Sequence, residues 1–182
     1  MIAVRAVILA AGTSSRIGEQ KLLMEFRGRT LIEYPIAASQ AWKPIVVAGP
    51  EVARYLAGRT DVEVLLNDAP DRGMSHSLAL ANRAVPAGVA LIVLLGDKPL
   101  IGKALIESIC GAADDADVVF PVHEGAPGHP VRLSPRARRF IGDLPSGDTV
   151  RLLRNHAELR QRALQTVDVG AVFDLDELSA FE

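Results

Sequence analysis

The densest run of chemistry-bearing residues is LAAGTSSRIGEQK, from Leu9 to Lys21. An apolar segment stops at Gly12, and Arg16, Gly18 and Lys21 follow. Small residues at Ala10, Ala11 and Gly12 let backbone approach a ligand closely, and glycine permits a left-handed turn. The exposed N–H groups of such a bend can bond a base or a phosphate. Arg16 offers a planar fork to phosphate oxygens and Lys21 a point charge. The spacing is neither G-x-x-x-x-G-K-[ST] nor G-x-G-x-x-G. A solvated turn carrying two surface cations fits it equally well.

Later segments offer fewer groups each. In LLGDKPL, Asp97 follows an apolar run, where a hard oxygen ligand suits Mg2+. The rival role for Asp97 is to cap the next helix. Lys98 either adds a phosphate contact or faces water, and Pro99 stops the strand. In NDAPDRGMSHSL, Asn67 has both donor and acceptor for a base edge. Gly73 allows close backbone approach, and Ser75 opens a helix whose N–H groups face the ligand; helix capping alone is the rival. In GHPVRLS, His129 stands at a strand entrance in an accessible loop. Asp148, in SGDTVRLLRN, reads as a helix cap or as a metal ligand. Asp174 and Asp176, in FDLDEL, read as caps of a last helix or as second metal ligands. His76, His123 and His156 lack metal-ligand spacing. Cys110, in an apolar helical pattern, reads as an inert core thiol.

These residues need a scaffold, and the apolar pattern supplies one. AVRAVILA, PIVVAG, VEVLLN, VALIVLLG and DVVFPV are apolar at nearly every position, as in strands buried on both faces. Between them MSHSLALANRAV places Met74, Leu78, Ala81 and Val85 on one stripe, and IGKALIESIC does so with Ile101, Leu105 and Ile109. RTLIEYPIAASQAW carries Thr30 and Glu33 at capping-box spacing, but Pro35 conflicts with a helix from Leu31. Ser134 and Pro135 mark another helix start, and GDTVRLLRN another helix. LQTVDVGAVFDLDEL suggests a strand or two and a short helix. Strand–helix alternation predicts one α/β domain over 1–182: a three-layer α/β/α fold with a mostly parallel central sheet. Ligands then bind beyond the carboxyl ends of strands, in the loops after Ala11, Asn67, Gly96 and Val122.

Composition narrows the partners. Of 182 residues, 49% are hydrophobic and 23% charged, with a formal net charge of −2. Nothing in that balance calls for nucleic acid or an anionic membrane. A single cysteine excludes an intrachain disulfide and suits a reducing, cytoplasmic compartment. The N-terminal apolar run contains Arg5 and reads as a buried strand rather than a signal peptide. No run reaches the length of a membrane span.

The pattern L-A-A-G-x-S-x-R-[MI]-G-x-x-K, matched by Leu9–Lys21, resembles the signature of the MobA-like nucleotidyltransferases. The resemblance covers nearly the whole chain and is nearest the molybdenum cofactor cytidylyltransferase branch. It implies a Rossmann-like fold and transfer of CMP from CTP to a molybdopterin-type acceptor, with Mg2+ and pyrophosphate release. It further implies that Arg16, Lys21 and Asp97 serve catalysis, Asp97 as the metal ligand. Leu9, Ala10, Ala11, Gly12, Lys21, Asn67, Gly73 and Ser75 would bind the nucleotide; His129 and Asp148 would face the acceptor. A receiving molybdoenzyme or its chaperone is an implied partner. Four departures stand out: Lys98 for the usual Met or Gln, Asp68 for Pro, Thr149-Val150 without the second Gly of the motif at Asp148, and a shortened tail without Thr-Pro. A sugar phosphate or another small phosphorylated acceptor, a non-catalytic nucleotide-binding protein and a nicotinamide-dependent dehydrogenase are the competing readings; the last lacks its G-x-G-x-x-G.

Overall fold

The computed structural model describes residues 2–12, 20–145 and 149–175. Ten strands occur among them: β1 (Val4–Ala10), β2 (Glu25–Phe26), β3 (Arg29–Thr30), β4 (Ile45–Ala48), β5 (Glu63–Leu66), β6 (Ala90–Leu95), β7 (Val118–His123), β8 (Ala126–Pro127), β9 (Val131–Leu133) and β10 (Gln161–Gln165). The α-helices are α1 (Glu33–Ser39), α2 (Pro50–Tyr55), α3 (Gly73–Ala84), α4 (Lys103–Gly111) and α5 (Thr149–Arg154). The main sheet runs β10-β7-β9-β6-β1-β4-β5, with β8 paired to β7, while β2 and β3 form a separate hairpin.

Pairing of β1 with β4 and β6, of β4 with β5, and of β7 with β10 is parallel. Among the described residues of the main sheet only β9, with β6 and β7, and β8, with β7, pair antiparallel. The mostly parallel α/β/α sandwich expected from the sequence is therefore the fold. Alternation along each strand divides two cores. Ala6, Ile8, Val46, Ile92 and Leu94 face Ile36, Val52 and Ile106. Val7, Leu9, Val47, Leu91 and Val93 face Leu78, Ala81 and Leu153. From β1 the chain winds outward through β4 and β5, then returns to β6 on the other side of β1. That reversal opens a crevice at the carboxyl ends of β1, β4 and β6.

The structure corrects several local expectations. Thr30 does not cap α1; it lies in the β2–β3 hairpin, and its hydroxyl accepts from the Tyr55 hydroxyl at 3.1 Å. Leu31 and Ile32 N–H groups donate to the Met24 and Leu22 carbonyls, which delays the helix to Glu33. Pro35 then falls in the first turn, where its missing N–H costs no helical bond. Helix α2 is absent from the sequence reading because six residues show little periodicity, although Pro50 marks its start. Strand β10 begins at Gln161, before the expected Leu164, and is exposed along most of its length. Cys110 is half-buried and desolvation pushes its thiol up to about 11, in line with an inert thiol. No helix among the described residues is long and apolar enough to cross a membrane.

Asp117 ties the second half of the chain together. Its carboxylate accepts from the Ser134 hydroxyl (3.0 Å), the Arg136 guanidinium (2.8 Å) and the Arg160 N–H (3.0 Å). Ser134 Oγ also accepts the Ala137 N–H at 3.1 Å, although the helix there is a 3-10 helix that starts at Ala137, with Arg136 rather than Ser134 at its cap. Burial pushes the Asp117 pKa up, but these donors outweigh it and the net displacement is downward. A carboxyl more acidic folded than unfolded stabilises above its unfolded pKa and loses that contribution as pH falls through its folded one. Asp117→Asn is expected to lower stability by about 1–3 kcal/mol at neutral pH. It is also expected to flatten the loss of stability on acidification, measured by urea unfolding from pH 7 to 3.

Candidate active site

Two backbone bonds extend the parallel ladder past the strand ends and fix the crevice. Gly49 N–H donates to the Ala10 carbonyl (3.3 Å), and Gly96 N–H to the Leu9 carbonyl (2.9 Å). Leu9, Ala10 and Ala11 are buried, while Gly12 emerges at the surface with nothing within 4 Å of where a Cβ would stand. A Cβ on Gly96 would meet the Leu22 methyls at 3.1 Å and Ile32 at 3.3 Å. Glycine there lets the turn Lys21–Leu23 lie against the end of β6. Its consequence is the central geometry: Lys21 Nζ stands 3.6 Å from Asp97 Oδ2, with side chains 13% and 34% exposed. The two groups that the sequence separates by 76 positions face one cleft. Helix α4 starts at Lys103 with Gly102 at its cap, so Asp97 does not cap it.

The loop after β5 is built differently from expectation. Asn67 is fully buried, its amide donating to Ser77 Oγ (2.9 Å) and accepting from the Ala69 N–H (2.9 Å). The side chain holds the loop to α3, and contact with a base would run through the loop it shapes. Gly73 has φ of 81°, the left-handed region, and is the first residue of α3. Arg72 occupies the cap position without a side-chain bond, and Ser75 is buried as the third residue of the helix, two after its start at Gly73. Arg16, Gly147, Asp148 and Asp176 lie outside the described residues.

A second group adjoins the first through the Asp97–Lys98 peptide. His129 stands before β9, its N–H donating to the Ala171 carbonyl at 2.9 Å. It is half-buried, not loop-exposed as expected, and its Nε2 is buried without a hydrogen-bond partner. Burial, then the charges of Lys98 and Arg154, depress its pKa to about 3, so the ring is neutral at physiological pH. Arg154 lies over the Phe120 ring, 5.4 Å from its centroid, and donates to the Gly128 carbonyl at 3.5 Å. Lys98 neither faces water nor stands free for a phosphate: it is buried, and its ammonium meets Asp174 Oδ1 at 2.6 Å. No local pattern marks Arg154, one arginine among several in its segment.

Asp97 offers a carboxylate to a divalent ion that substrate would complete, while Lys21 beside it has donors for phosphate oxygens and none to give a metal. Among the described residues no three His, Cys, Asp or Glu side chains gather to cage a metal. One open carboxylate at a strand end is the protein contribution typical of Mg2+, which fills its other positions with phosphate oxygens and water.

Comparison with known proteins converges on this architecture. The model of the MobA-like NTP transferase domain matches residues 6–164. A molybdenum cofactor cytidylyltransferase of Escherichia coli (strain K12) is 27% identical over 139 residues, covering 74% of this chain and 71% of its own length. A bifunctional protein GlmU of Xylella fastidiosa (strain 9a5c) is 27% identical over 175 residues, covering 90% of this chain. The chain thus spans only 36% of that relative's length. The crystal structure of Rv0371c from Mycobacterium tuberculosis H37Rv in complex with manganese superposes with a TM-score of 0.77 at 20% identity, covering 99% of this chain and 96% of that one.

Proposed function

This chain belongs to the MobA-like NTP transferase domain family, and on that premise we propose that it transfers CMP from CTP to the terminal phosphate of a molybdopterin-type acceptor. The observation that carries the reading is the Lys21–Asp97 pair, 3.6 Å apart at the carboxyl ends of β1 and β6. The acceptor oxygen attacks the α-phosphorus in line. The new P–O bond forms as the α–β bond breaks, and pyrophosphate leaves. No protein nucleophile is required; the difficulty is bringing an anion to a triphosphate. Lys21, with Arg16 and the amides of Ala11 and Gly12, holds the phosphates and stabilises charge on the departing pyrophosphate. Mg2+, held by Asp97, supplies charge neutralisation when bound. The manganese in the Mycobacterium tuberculosis structure supports a divalent ion here. His129 and Arg154 line the side from which the acceptor enters, and Asp148 is assigned to the same side. Positioning of two anions in one cleft supplies much of the remaining acceleration.

Cytidine selectivity is assigned to Ala11, whose methyl crowds a purine at the crevice; Ala11 is buried and its Cα and carbonyl pack 3.8 Å from the Cβ position of Gly49. The test is pyrophosphate release with molybdopterin-bound molybdenum and CTP, GTP or ATP. CTP is expected to turn over at least about tenfold faster than either purine, the low end of what one methyl contact discriminates. Equal rates with GTP would sink the base assignment, and release only with other phosphorylated small molecules would sink the acceptor.

A further inference from the structure

Lys98 is charged, buried and surrounded by oxygen. Its ammonium lies 2.6 Å from Asp174 Oδ1, 3.2 Å from the Phe173 carbonyl and 3.5 Å from the Val172 carbonyl. Three N–H donors meet three acceptors, with the side chain 5% exposed. A buried ammonium persists only when its charge is paired and its donors are bonded. One carboxylate and two carbonyls converging on a point are also the oxygen set of a hard cation.

The segment that supplies them is tightly seated. A Cβ on Gly170 would stand 2.3 Å from the Leu100 carbonyl oxygen, and one on Gly128 would stand 2.2 Å from that of Ala171. Asp168 Oδ1 accepts the Gly170 N–H at 2.8 Å, and Ala171 accepts from His129. Residues 168–174 are therefore wedged between the loop after Asp97 and the loop before β9.

We propose that Lys98 is a tethered cation standing where a second divalent ion would otherwise sit: it consumes Asp174 and the Val172 and Phe173 carbonyls. The chain then binds its divalent ion at Asp97 alone, and Lys98 holds Val172–Asp174 against the acceptor side of the cleft. This rests on the assignment of Asp97 as a metal ligand. It removes Asp174 from the three carboxylates, with Asp148 and Asp176, that the sequence offered as alternatives for a second metal ligand.

The test counts Mn2+ bound to the full chain by electron paramagnetic resonance, in the presence of α,β-methylene-CTP. Lys98→Ala removes the ammonium and leaves its three oxygens, so the count is expected to rise by one per chain. Adding Asp174→Asn to it is expected to return the count to the native value. Asp174→Asn alone is expected to leave the native count unchanged. Folding of each variant is checked by thermal unfolding. Should Lys98→Ala not fold, the Asp174→Asn protein decides: an unchanged count supports the proposal and a loss of one ion overturns it. An unchanged count in folded Lys98→Ala also overturns it. Asp97→Asn separates the underlying reading, since a native count there removes Asp97 as a ligand whatever Lys98 does.

Discussion

Lys21→Met is expected to lower kcat for pyrophosphate release by about 100- to 1,000-fold, the range seen when one preorganised donor to a developing charge is removed. Methionine keeps the aliphatic stem and deletes only the ammonium, so the packing of the Lys21–Leu23 turn against Gly96 survives. Lys21 is largely buried, yet its ion pair with Asp97 at 3.6 Å is long and the carboxylate is one-third exposed. Pairs of that kind add little to folding. The thermal midpoint is therefore expected to shift by no more than a few degrees. Affinity for CTP, read by calorimetry, is expected to fall less than kcat, because charge builds on the pyrophosphate as the α–β bond breaks. A variant that releases pyrophosphate near the native rate would remove Lys21 from the chemistry.

What the sequence made legible followed from local rules. Apolar runs such as Ala90–Leu95 are strands because a strand buried on both faces admits no polar residue. The crevice followed from strand order and from glycines at strand ends. Contacts made at long range left no local mark. Lys98 reads as a solvated cation after a strand; only the return of residues 172–174 turns it into a buried ion pair. Asn67 reads as a base reader because its amide suits one, while Ser77, ten residues on, takes that amide inward at 2.9 Å. Thr30 and Glu33 satisfy a capping-box spacing, yet a two-stranded hairpin claims the threonine and Arg59 pairs with the glutamate. In each case a tertiary partner outcompeted the local choice. Of these only Lys98 adjoins the proposed acceptor side; Asn67 lies in the loop after β5 and Thr30 in the β2–β3 hairpin.

Arg138 gives the largest stability effect expected away from the cleft. Its guanidinium, buried from solvent, donates to Asn82 Oδ1 (2.7 Å) and to the carbonyls of Asn82 (2.8 Å), Val85 (2.7 Å), Pro86 (2.6 Å) and Val89. Helix α3 ends at Ala84, so one side chain satisfies carbonyls of the last turn and of the chain leaving it, and places a positive charge at the negative end of the helix. Arg138→Met fills most of the volume but leaves those carbonyls without donors. Each buried orphan costs about 1–3 kcal/mol, and water entering from the adjacent surface pocket, lined by Arg83, Pro86 and Arg139, recovers some of them. A net loss of about 3 kcal/mol is expected, which for a chain of this size corresponds to a midpoint lower by roughly 6–12 °C. The opposite end of α3 is Gly73, at the proposed nucleotide loop, anchored separately through Asn67 and Ser77. Because that end has its own ties, CTP turnover at 20 °C is expected to stay within about twofold of native while thermal unfolding comes early. A variant with the native midpoint would show that α3 needs no cation at its carboxyl end. A folded variant that loses turnover would show that the strain of losing it travels the length of the helix to the loop.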